Sequence, residues 1–165
     1  MNNFIKLYLL SALSLSFVHA ETTKFGLGSC LDQDFPQPIW NAIGEENLDY
    51  FVFLGDNVYG DVPSGSLRKM VDAYKKQKDL FPKWLNNIEI FPIWDDHDYG
   101  LNDAGSEYSL KRQSQEIFLN FWDISLDDDR HNRDGIYFSE EKIINGKVFK
   151  LIFLDTRFFR SKLKG

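Results

Sequence analysis

The sequence predicts an α/β domain in which helices alternate with the strands of a layered sheet. Three observations point there. Residues 25–27, 50–54, 88–94 and 148–154 form apolar runs that are continuous rather than alternating, the pattern of strands covered on both faces. Segments with helical spacing lie between those runs, and alternation of the two element types is the mark of an α/β layering. Asn145-Gly146, a strong hairpin turn signal, stands just before the last run, so at least one antiparallel pair is expected to join the sheet and make it mixed.

The first run is short and ends in Gly28-Ser29-Cys30. A short helix is expected to start at Pro36 or Pro38, to carry Ile39, Trp40 and Ile43, and to stop at Gly44, since proline suits a first helical turn. The second run ends in Gly55-Asp56. Leu67, Met70, Val71 and Tyr74 then recur at i, i+3, i+4 and i+7, with Ser64 or Ser66 placed to cap. The third run ends in Asp95-Asp96-His97, and a helix over 106–122 sets Ile117, Phe118, Phe121 and Trp122 on one side. After Asp134-Gly135, the apolar residues 136–138 open the hairpin, whose return strand ends in Asp155-Thr156-Arg157.

The 165 residues suit one domain, and 43% hydrophobic with 16% aromatic content is enough for a core. The net charge of −6, with no cluster of Lys and Arg, excludes a nucleic-acid-binding surface built on the phosphate backbone. An acidic chain can still handle an anionic substrate if bound cations reverse the local field. Lys6, the apolar residues 7–18 and Val18-His19-Ala20 form the pattern of a secretory signal peptide, residues 1–20, cleaved after Ala20. Its apolar run is too short for an ordinary span, so no stable membrane anchor is expected, an uncleaved anchor being the alternative. The expected location is periplasmic or extracellular. Cys30 is the single cysteine, and in an exported chain such a residue is a free thiol or a ligand.

Ligands of open α/β sheets bind beyond the carboxyl ends of the strands. The topology should therefore gather Cys30, Asp56, the Asp95-Asp96-His97 cluster and Asp155 at one edge. Gly55 permits a close approach of backbone to an ion. Asp56 offers hard oxygens able to bridge two cations. Tyr59 is either a phenol ionised by a metal or a core aromatic, and Asp61 reads as a turn or cap residue. Three carboxylates around His97 cannot all stay unpaired, because like charges raise one another's pKa, and cations would resolve the conflict. Asp96 then reads as a ligand, Asp95 as a further candidate, and His97 as the acid that protonates a departing alkoxide. Asn102, with Asp103, either reaches the metal or phosphate or forms a turn. Arg157 either pairs with Asp155 or grips a phosphate with its planar fork. Asp127-Asp128-Asp129 and the stretch around His131 read as solvated loops.

In order along the chain, Gly28-Ser29-Cys30, Gly55-Asp56-Asn57-Val58-Tyr59, Trp94-Asp95-Asp96-His97-Asp98 and Leu154-Asp155-Thr156-Arg157 resemble the motif series of PhoD-like alkaline phosphatases. The metal site of that family is similar to those of calcineurin-like and purple acid phosphatases. The resemblance implies a layered metallophosphoesterase sandwich, with Cys30 where related enzymes use a first-strand Asp. It also implies a bridging Asp56, Tyr59 on ferric iron, and Asp96-His97 in place of an Asn-His pair. The implied cofactor is a centre of Fe(III) with Ca(II). Oxygen-rich sites suit calcium, and a thiolate with a phenolate suits iron. The implied reaction is hydrolysis of phosphate mono- or diesters by a metal-bound hydroxide, between two ions about 4 Å apart. Such enzymes draw further ligands from a later Gly-Asp-x-His-like segment, which is not in this sequence. The expectation is therefore that residues 21–165 are the N-terminal part of the domain. A secreted calcium-binding module without catalysis, or an inactive relative, is the alternative. The module would have no use for Cys30 or Tyr59.

Overall fold

The computed structural model describes residues 22–164, so the expected signal peptide and its cleavage site lie outside the described residues. In chain order the elements are β1 (Phe25–Gly28), α1 (Ile39–Glu45), β2 (Tyr50–Leu54), α2 (Arg68–Leu80), β3 (Glu89–Ile93), α3 (Asp96–Tyr99), α4 (Lys111–Phe121), β4 (Phe138–Ile144) and β5 (Lys147–Phe153). Among the described residues no helix is long and apolar enough to cross a membrane.

β1, β2 and β3 are parallel neighbours in that order, with Phe25 opposite Tyr50 and Tyr50 opposite Glu89. β4 and β5 pair antiparallel around Asn145-Gly146, both with positive φ (50° and 73°), as the tight hairpin turn demands. Both kinds of pairing expected of a mixed sheet are present, in two sheets rather than one. The hairpin is tied to β3 by side chains: Phe153 stacks on Phe91 at 5.2 Å, and Lys142 pairs with Glu89 at 2.6 Å.

Alternation along β2 divides the core. Phe51 and Phe53 face the helices and pack into a cluster with Trp40, Met70, Tyr74, Trp94, Phe118 and Trp122. Val52 and Phe91 face the hairpin and meet Phe153. The helix-side layer is dominated by aromatic rings, with Phe53 4.7 Å from Trp122 and 4.8 Å from Phe51.

Some expectations shift. The continuous apolar runs predict strands covered on both faces, yet Leu27 and Leu54, on the hairpin side, are 66% and 43% exposed. The hairpin packs over the middle of the sheet, at Val52 and Phe91 with Tyr50 and Ile93 beside them. In α2 the buried face is Met70, Ala73, Tyr74 and Gln77, while Val71 is exposed. Gln77 is tolerated inside because its amide exchanges hydrogen bonds with Gln37 at 2.7 and 3.0 Å. The helix expected over 106–122 begins only at Lys111; the residues before it form turns, with Ser106 N donating to Arg160 O at 2.8 Å.

Candidate metal centre

Parallel pairing puts the carboxyl ends of β1, β2 and β3 on one edge, where Cys30, Asp56 and the Asp95-Asp96-His97 turn emerge. Cys30 and Asp56 both leave their strands in the left-handed region, at φ 61° and 50°. Such backbone is uncommon outside glycine and is held only where neighbours enforce it. Here Cys30 N donates to Gly55 O at 3.2 Å and Leu31 N to Asp56 O at 2.8 Å. Gly55 has φ 104°, and a Cβ there would lie 2.6 Å from the backbone nitrogen of Asp95. Gly55, expected to let the backbone approach an ion, makes its close contact with the start of the neighbouring turn instead.

That turn is clasped by Asp98, which is fully buried. Its carboxylate accepts from Asp95 N (2.7 Å), Asp56 N (3.3 Å), Asn57 N (3.1 Å) and Asn57 Nδ2 (2.5 Å). Asp95 and Asp98 also form the capping box of α3. Burial pushes the Asp98 carboxyl up to about 8, against the pull of the Asn57 and Asp95 amides. All four neighbours are donors, an arrangement that suits the ionised form. The crowding of three carboxylates around His97 is thus relieved in part without cations. Asp98 is enclosed by N–H groups, and Asp95 pairs with Nε of Arg157.

What remains is the group Asp56, Asp96 and His97, whose potential ligand atoms lie within 4.8 Å of one another. Oxygen ligands at 2.3–2.6 Å from one calcium-sized ion are at most about 5 Å apart, so Asp56 and Asp96 can share a single cation with His97 beside it. Burial raises the Asp56 pKa, with the His97 charge opposing and Asp96 adding to it. Burial also pushes Asp96 up, but the Asp103 amide (N to Oδ2, 2.8 Å) and Arg157 outweigh it, and Asp96 stays below the usual range. Burial pulls His97 down, and the hydrogen bond and charge of Asp61, aided by Asp56 and Asp96, lift it above its ordinary value. Cys30 Sγ lies 3.7 Å from Asp56 Oδ2, and the Tyr59 ring is 4.4 Å from that of His97. Burial, then Asp56 and Cys30, raise the Tyr59 phenol, so it stays protonated unless a cation binds. Gln33 fixes Tyr59 through both backbone atoms, accepting from its N–H at 2.8 Å and donating to its C=O at 3.3 Å.

Asp61, expected as a turn or cap residue, faces the histidine instead. Its Oδ1 stands 2.7 Å from His97 Nδ1. Its place five residues after Asp56 in one loop was the available signal, but only closure of that loop onto α3 makes the contact.

Of the other candidates, Arg157 touches the three-residue group directly, through Asp96, while Asn102 and Asp155 bond elsewhere. Asn102 is exposed and donates to Asp103 Oδ2 at 3.0 Å; this turn reaches Asp96 through the Asp103 backbone instead. Arg157 spans two carboxylates, Nε on Asp95 and Nη2 on Asp96 Oδ1 at 3.3 Å, and its side chain is not paired with Asp155. Asp155 accepts instead from Trp94 Nε1 (2.9 Å), Arg157 N (2.9 Å), Phe158 N (2.9 Å) and Ile136 N (2.8 Å), which pins the C-terminal segment beside β3. His131 is not on a surface loop: its side chain is largely buried, with Nε2 3.2 Å from Ile124 O. Within the acidic run, Asp128 is held to about 2 chiefly by its hydrogen bond from Arg130, whose guanidinium is buried against Phe138. No family profile, characterised protein or solved structure matches the chain.

Proposed function

We propose that the protein is a metal-dependent phosphoric ester hydrolase of the PhoD-like kind, exported from the cytoplasm and acting on phosphate mono- or diesters. The reading is carried by one observation: Asp56, Asp96 and His97 converge within 4.8 Å while Asp61 engages Nδ1 of the histidine. A plain calcium-binding module has no use for that last contact.

The donor set fits a cation. Asp56 and Asp96 supply hard oxygens, and Cys30 and Tyr59 stand beside Asp56 with the softer sulfur and the phenol that an iron would ionise. Fe(III) with Ca(II) suits these donors. When bound, the metals would supply positive charge for the phosphoryl oxygens and acidify a water.

The chain's own groups do the rest. Asp56, Asp61, Asp95 and Asp96 outnumber the cations His97 and Arg157 among them, so an empty site repels a phosphate. His97, with Nδ1 engaged by Asp61, has Nε2 left to carry a proton to the leaving oxygen, and its carboxylate neighbours keep it protonated to higher pH than a free imidazole. The left-handed exits of β1 and β2 hold Cys30 and Asp56 where they are, so the ligands need little rearrangement.

The test is hydrolysis of p-nitrophenyl phosphate and bis-p-nitrophenyl phosphate by the full-length protein, before and after chelation. Asp56→Asn should abolish cation binding and turnover together. Full activity in that variant ends the proposal.

A further inference from the structure

We infer that Arg157 is a placeholder cation, which neutralises Asp95 and Asp96 while the centre is empty and trades Asp96 for a phosphate oxygen when the centre is loaded. The inference rests on the proposed cation site and adds a coupling between cation and anion binding at that site.

Four features of the structure carry it. First, the guanidinium is not bidentate on one partner: Nε is on Asp95 and Nη2 on Asp96 Oδ1 at 3.3 Å, so one contact can be given up while the other holds. Second, the two oxygens of Asp96 are unequal. Oδ2 is fixed by the Asp103 amide at 2.8 Å, which leaves Oδ1, the oxygen facing Arg157, as the one over which a metal and the arginine compete. Third, the backbone under Arg157 is anchored independently, its N–H on Asp155 Oδ1 at 2.9 Å with Trp94 and Phe158 on the same oxygen, so losing Asp96 does not release the segment. Fourth, the side chain is 14% exposed, so the guanidinium is not sealed from solvent.

A metal on Asp96 and the Arg157 guanidinium are like charges at close range, and either the arginine weakens the metal or an anion is drawn between them. A phosphate group satisfies both, since it offers several oxygens and a planar fork suits them. Binding of one ligand must then favour the other by the same factor.

The experiment is calorimetric titration of Mn²⁺ into chelator-stripped full-length protein, with and without saturating inorganic phosphate, on wild type, Arg157→Gln and Arg157→Lys, with thermal melts to confirm folding. Phosphate should tighten Mn²⁺ about tenfold in wild type, a typical coupling. Arg157→Gln should bind Mn²⁺ about tenfold tighter than wild type without phosphate, and lose the phosphate effect. Arg157→Lys, a point charge that cannot span two carboxylates, should bind Mn²⁺ several-fold tighter than wild type and keep part of the effect. Variants that match wild type in both measurements overturn the exchange and leave the cation site standing. Failure of all three proteins to bind Mn²⁺ overturns the exchange and the cation site together.

Discussion

Replacing Asp98 with alanine removes the shared acceptor of four donors. The amides of Asp56, Asn57 and Asp95 and the Nδ2 of Asn57 all converge on its carboxylate. A buried donor left without a partner costs about 1–3 kcal/mol. The four do not add in full, because Asn57 Nδ2 also donates to Ile93 O at 2.8 Å and keeps that bond. A total of about 3–5 kcal/mol is expected, in the range of other losses from buried networks. That is a large share of a domain's stability of about 5–15 kcal/mol. Urea unfolding followed by tryptophan fluorescence should show the midpoint falling with the slope unchanged. Cation affinity should fall too, because the same bonds set Asp56 against the turn that bears Asp96. A variant within about 0.5 kcal/mol of wild type, the usual scatter for an unimportant surface site, would refute the claim that this clasp builds the centre.

Asp61→Asn should lower the His97 pKa, read from the imidazole proton shifts in an NMR titration, and move the basic limb of the hydrolysis profile to lower pH; an unmoved His97 would remove Asp61 from the account. Because the folded pKa of His97 is raised, the stability it contributes is complete below its unfolded value of about 6.5 and is lost as pH rises through the folded value, so Asp61→Asn should flatten the pH dependence there. Asp128 has the opposite sign: held to about 2 in the fold, its stabilisation is present above the unfolded value near 3.9 and is lost as pH falls through about 2. Acid unfolding of Asp128→Asn should lack that limb. Gly55→Ala, at φ 104° with its Cβ driven to 2.6 Å from Asp95, should destabilise by about 2 kcal/mol or more and weaken cation binding, both measurable in one set of melts with and without Mn²⁺.

The parts legible in the sequence are those fixed by short-range pattern. The first three continuous apolar runs became the parallel strands, and because each run ended in Cys30, Asp56 or Asp95-Asp96-His97, their convergence followed from topology. Asn145-Gly146 gave the hairpin for the same local reason. What was not legible depends on contacts between distant residues. Asp61 reads as a turn or cap residue and Asp98 as one of three crowded carboxylates around His97; their actual roles, one against the imidazole and one inside a cage of N–H groups, arise only when the 55–61 loop folds onto α3. Arg157 had a carboxylate two residues away at Asp155, yet its side chain reaches Asp95 and Asp96, because Asp155 is taken up by backbone amides and Trp94. The apolar pattern points to Val71 as a core residue and is silent on Gln77, since no sequence pattern announces that Gln37 will be there to meet a buried amide.

The most direct measurement is an anomalous-scattering map from a crystal of the protein soaked with Mn²⁺. A peak bonded to Asp56 and Asp96, with His97 and Asp61 still in contact, is the predicted result. A peak confined to exposed carboxylates such as Asp127 and Asp129, with nothing between Asp56 and Asp96 at saturating ion, would contradict it.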